Sequence, residues 1–94
     1  MQGTDFTIAR CKDRAGFSAK PAKNVQLDLQ KIGKQFTTIL KTPILLVIDE
    51  EGEIIVHQYG ELLFKSQVDK GRLELSARRI YTAGGLEPGE CTFG

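Results

Sequence analysis

The sequence is poor in the residues that do chemistry. Ninety-four residues include one His, two Cys, one Met and no Trp. Two thiols are too few for the disulfide framework of a small secreted scaffold. They read instead as reduced cysteines, Cys11 and Cys91, in a cytoplasmic protein, the alternative being one bridge if the two ends of the chain meet. A metal centre within one chain would have to recruit His57 and further soft ligands that the sequence does not supply. No cofactor or metal is therefore expected. The three serines, Ser18, Ser66 and Ser76, lie in no nucleophile-elbow motif, and the single His serves no recognisable triad. The ten glycines form neither GxGxxG nor a phosphate loop. The longest apolar run, Pro43–Ile48, is strand-sized and far short of the roughly 20 residues of a membrane span. The Met1–Arg10 stretch lacks the basic and apolar regions of a signal peptide. No membrane partner is expected.

The rest is ordinary. With 40% hydrophobic residues and a net charge of +1, the chain can build one small core and is not disordered. The expectation is one domain over residues 1–94, with loosely ordered tails at 1–4 and 86–94. The small net charge hides an asymmetry. Residues 1–41 hold eight Lys and Arg against three Asp, a net of +5, and residues 42–94 hold five against nine acidic groups, a net of −4. A basic half can meet phosphate, or the acidic half of another copy.

Hydrophobic spacing gives the elements. Asp5–Cys11 alternates as a strand through Phe6 and Ile8. The basic stretch from Lys12 to Lys23 reads as a loop with a short extended piece at Phe17–Lys20. Val25 and Leu27 alternate, whereas Leu29, Ile32 and Phe36 keep helical spacing. This predicts an extended segment up to Leu27, Asp28 as the N-cap and a helix over 29–36. Strands follow from Thr38: Pro43–Asp49, Ile54–Tyr59 and Leu62–Lys65, joined by turns at Glu50–Glu53 and Gly60–Glu61. Leu73, Ala77, Ile80 and Tyr81 then mark one face of a second helix over Val68–Tyr81, opened by Asp69 and stopped by Gly84–Gly85. The order predicts an α+β fold: an antiparallel sheet of about four strands with two helices on one face, β-α-β-β-β-α, leaving the other face open.

The segment Leu27-Asp28-Leu29-Gln30-Lys31-Ile32, the meander Ile44–Lys65 and the helix Asp69–Tyr81 together resemble a single half-repeat of the TATA-binding protein over about residues 25–82. The resemblance implies that family's half fold, and a second copy to complete a saddle. The family binds DNA through its concave sheet and wedges Phe between base steps. Here His57 and Thr42 fall where the wedges would sit, and Glu61 replaces the turn Lys that would face phosphate. The resemblance therefore speaks for fold more than for DNA binding.

Strand alternation puts Ile55, His57 and Tyr59 on the open face. The possible binding surface is thus Thr42, His57, Tyr59 and Lys65, extended by the basic residues Lys12, Arg14, Lys20 and Lys23. Asp49, Glu50, Glu51 and Glu53 read as a charged hairpin tip, although four carboxylates can also hold a divalent cation. Arg78 and Arg79 read as an exposed helix face. The function expected is a small non-enzymatic binding module that uses its open sheet face or edge to bind another protein or itself, as a homodimer. The alternatives are a nucleic-acid-binding protein using the basic N-terminal half, and an enzyme acting at the acidic turn or at His57.

Overall fold

The computed structural model describes residues 3–10 and 16–94. The elements are β1 (Thr4–Arg10), β2 (Phe17–Pro21), α1 (Leu29–Gln35), β3 (Thr37–Lys41), β4 (Leu45–Asp49), β5 (Glu53–His57), β6 (Leu62–Phe64), α2 (Lys70–Ala83) and β7 (Pro88–Phe93). They form one seven-stranded sheet in the order β3-β4-β5-β6-β2-β1-β7.

Both helices begin where the sequence places them. The Asp28 carboxylate accepts from the backbone N–H of Gln30 and Lys31, and that of Asp69 accepts from Arg72 N–H. These bonds satisfy first-turn donors that have no partner inside the helix. The α2 backbone ends at Gly84, whose N–H donates to the Ile80 carbonyl. The meander β4-β5-β6 also forms as expected, with Leu46 opposite Val56 and Val56 opposite Leu62.

The four-stranded antiparallel sheet is not what forms. The sheet is mixed, because β7 runs parallel to β1, and the element order is β-β-α-β-β-β-β-α-β. Three strands account for the difference. The short piece at Phe17 is a full partner, β2, which joins β1 to β6. β3 lies antiparallel to β4 with a bulge between Thr38 and Leu40. The segment expected as a loose tail is β7. Its composition of small and polar residues hides two core-facing side chains, Cys91 and Phe93, which pair with Phe6 and Ile8 on β1. The strand is anchored from both ends: Thr4 N–H donates to the Glu87 carbonyl, and Gly94 N–H donates to that of Ile8. Gly89 has a steric reason, since a side chain there would collide with the Asp5 carboxylate and the Gly3 backbone.

One face of this sheet, carrying Phe6, Ile8, Leu46, Ile48, Ile54, Val56, Leu62 and Phe64, packs with Leu29 and Ile32 of α1 and Leu73, Ala77, Ile80 and Tyr81 of α2 in a single core. At its centre, Tyr81 meets Phe6 edge-to-face, ring centroids 5.2 Å apart. Its buried hydroxyl donates to the Gly60 carbonyl at 2.9 Å. Gly60 holds a φ of 111°, and a Cβ there would press on Val25 and Pro21. No helix among the described residues is long and apolar enough to cross a membrane.

Burial raises the Tyr81 phenol pKa well above its ordinary value of 10, with Cys91 and Glu61 adding to the effect. The neutral phenol is thus the form the fold stabilises. That stability is present below about pH 10 and is lost as pH climbs toward the folded-state value. Chemical denaturation between pH 8 and 11.5 should show the decline. Tyr81→Phe should lower stability at pH 7 by about 1–3 kcal/mol, because the buried Gly60 carbonyl loses its donor, and should flatten the alkaline fall.

Candidate functional site

Among the described residues the sheet's second face carries no helix. Alternation leaves one apolar row across it, and the register aligns Leu40, Val47, Ile55 and Leu63 on neighbouring strands. Val47 is shielded by its neighbours, and Ile55 and Leu63 are half-buried. Toward β3 the row opens to solvent: every residue of that strand is exposed, including Ile39 at 57% and Leu40 at 51%.

At the end of the sheet where β5 finishes, a cleft opens between the connection from β2 to α1 and the turn from β3 to β4. Residue 58 is clasped on both sides. Gln58 N–H donates to the Ile44 carbonyl at 3.1 Å, and its own carbonyl accepts from Leu27 N–H at 2.8 Å. Two adjoining hollows of about 780 and 450 Å³ meet at Gln26 and Gln58. The larger is lined by Asp28, Gln30, Lys41 and Thr42, and the smaller by Val25, Ile44, His57 and Tyr59. His57 and Tyr59 stack, with centroids 5.1 Å apart and planes 24° from parallel. The Tyr59 hydroxyl donates to Glu61 at 2.8 Å, and this bond, followed by partial burial, raises its pKa.

The structure gathers some of the expected surface and scatters the rest. Thr42, His57 and Tyr59 all border the cleft. Thr42, however, spends its hydroxyl on the turn, donating to the Leu45 carbonyl and accepting from Ile44 N–H. Lys20 lies 3.8 Å from Glu61 and so connects through it to Tyr59. Lys65 is at the opposite end of β5, paired with Glu53 at 3.5 Å. Lys23 is exposed on the connection that follows β2. Lys12 and Arg14 lie outside the described residues, as does Cys11. Cys91 is half-buried, and its thiol pKa is raised by burial and then by the Glu74 carboxylate.

The acidic hairpin is engaged with α2. Glu50 pairs with Arg79 and Glu51 with Arg72, while Asp49 accepts from Gly52 N–H. Arg79 also lies over the Phe36 ring, and Arg78 pairs with Glu74 along the helix. Arg79 is exposed as expected and Arg78 is half-buried, and both are engaged in ion pairs on the surface. Among the described residues no three His, Cys, Asp or Glu side chains converge as a metal site.

Sequence reading passed over Gln26, Gln30, Lys41, Ile44 and Gln58. Lone glutamines carry no periodic signal, and their convergence arises from long-range backbone bonds such as Leu27 to Gln58. Comparison with family models, with curated proteins and with solved structures finds no match to this chain.

The hairpin pairs are solvent-exposed, so each contributes well under 1 kcal/mol and is screened by salt. Replacing Arg72 and Arg79 by Ala should lower stability by about 1 kcal/mol at low ionic strength. The loss should shrink in 1 M salt, read by urea denaturation of both proteins in each buffer.

Proposed function

We propose that this chain is a small binding module that self-associates through the outer edge of β3 and the adjoining apolar row. The observation that carries this reading is the full exposure of β3, with Ile39 and Leu40 set beside an edge whose outward N–H and C=O groups have no strand partner among the described residues. Such an edge is a template for strand addition. The opposite edge, β7, starts at Pro88 and carries Glu90, two features that discourage pairing. Contacts of β3 with β7 would propagate into open chains, whereas β3 against β3 of a second copy closes on a two-fold axis. The bulge between Thr38 and Leu40 limits the length of edge available and favours one register over many.

Light scattering on the full chain, with and without a short DNA duplex at low salt, tests the reading. A dimer that ignores DNA is expected. Ile39→Lys together with Leu40→Lys should give a folded monomer whose melting temperature no longer depends on protein concentration, since both side chains lie outside the core. A monomeric mass at high protein concentration overturns the reading. A DNA complex that dissolves as salt rises replaces it with a phosphate-binding one.

A further inference from the structure

We propose that the cleft between Gln26, Gln58 and Lys41, where β3 ends, is a second site that takes an extended peptide segment bearing one apolar side chain next to a carboxylate. Three separate features of the cleft converge on that chemistry.

The first is a set of uncommitted polar groups. The side-chain amides of Gln26, Gln30 and Gln58 line the cleft, and none is used in a hydrogen bond among the described residues. A primary amide offers both donors and acceptors, which matches the alternating N–H and C=O of a peptide backbone. The second is the backbone beside them. Residues 23–26 belong to no helix or strand and make no hydrogen bond to the rest of the described chain, although the flanking Ala22 and Leu27 N–H groups donate to Asp5 and Gln58. This short open stretch can pair with an extended ligand as a strand edge does. The third is the division of the cleft into two unlike ends. The smaller hollow is the more apolar, with Val25, the 69%-exposed Ile44 and the His57–Tyr59 stack beside Gln26 and Gln58. The larger holds one free cation among the described residues, Lys41.

Charge selects among ligands. Asp28 is the carboxylate lining the cleft, and its oxygen is already engaged by two backbone N–H groups at the start of α1. Lys41 makes no ion pair among the described residues, so one anionic group on the ligand can be matched and a run of phosphates cannot. A nucleic-acid strand would bring several negative charges to a cleft whose lining holds one ammonium, Lys41, beside the Asp28 carboxylate, with Lys23 the cation of the flanking stretch and Glu61 close by at Tyr59. A peptide with an apolar side chain in the Ile44 hollow and a carboxylate near Lys41 uses each feature once. The carboxylate can be a chain terminus or an acidic side chain, since the recognising chemistry is the same.

Nuclear magnetic resonance titration of the isotope-labelled full chain tests the site with four probes. They are acetyl-Ala-Ala-Leu as the free acid, the same peptide as its C-terminal amide, acetyl-Ala-Leu-Asp amide, and an oligothymidylate. The free acid or the Asp peptide should produce saturable shifts at the Gln26 and Gln58 side-chain amides and at residues 25–27, and whichever binds more tightly identifies the source of the carboxylate. The uncharged amide should bind about tenfold more weakly, the loss of one charge-assisted contact. Lys41→Gln should reduce the acid to the affinity of the amide, and Ile44→Ser should weaken all three peptides. Both residues are exposed, and an unchanged melting temperature confirms that each variant is folded. No saturable shift at the cleft, indifference to Lys41→Gln, or preferential binding of the oligothymidylate overturns the proposal. An Ile39→Ser, Leu40→Ser variant, which removes the apolar side chains of the edge without adding charge beside Lys41, should bind the peptides as well as the parent does, which separates this site from the apolar row used in self-association.

Discussion

The bond from the Tyr81 hydroxyl to the Gly60 carbonyl ties together parts of the chain that share no local interaction. It fixes the buried face of α2 against the turn between β5 and β6. That turn, through the close approach of Gly60 to Pro21 and Val25, sets the path of the connection into α1. The same connection is held from its other end by Leu27 N–H on Gln58 and by Asp28 N–H on the Gly84 carbonyl, just past the end of α2. The walls of the cleft therefore stand where they do because a tyrosine one helix away is locked in place. A hydroxyl at this depth requires its partner, since an unpaired polar group in the core costs more than the bond itself contributes.

The sheet carries two different faces for one physical reason. Successive residues of a strand point to opposite sides, so Ile54 and Val56 enter the core while Ile55 and His57 do not. Helices bury the first set. The second forms a narrower apolar row whose middle is shielded by its own neighbours and whose β3 end is exposed. Helical cover and strand edge thus separate the stabilising face from the one available for contact. Charge follows the same separation. The acidic hairpin, Glu50–Glu53, is drawn onto Arg72, Arg79 and Lys65 rather than left as an open anionic patch. The cleft keeps Lys41 unpaired among the described residues.

Several elements were legible because their signals are local. Asp28 and Asp69 announce helix starts through the geometry of the first turn. The face Leu73, Ala77, Ile80 and Tyr81 follows from helical period alone. The meander from Leu45 to Phe64 follows from alternation and its two turns. The open face bearing Ile55 and His57 was likewise readable. β7 was not, because Pro88, Gly89 and Gly94 argue locally against a strand, and only pairing with β1 supplies the compensating core contacts of Cys91 and Phe93. The parallel direction of that pair made the sheet mixed, where local pattern argued for an antiparallel one. Of the candidate surface, His57, Tyr59 and Thr42 do border one cleft, while Lys65 sits at the far end of β5. The amides that give the cleft its character went unseen.

The sequence by itself determined the caps, the helical faces, the alternation of the central strands and the supply of one core's worth of apolar side chains. These depend on neighbours within a few positions along the chain, where backbone geometry dictates the period. Tertiary structure alone decided the strand order, the recruitment of β2 and β7, the engagement of the acidic hairpin by α2, and the meeting of Gln26, Gln58 and Lys41 around one hollow. Each of these pairs groups far apart in sequence. Such contacts form only when burial of the shared core compensates the entropy of closing the intervening chain.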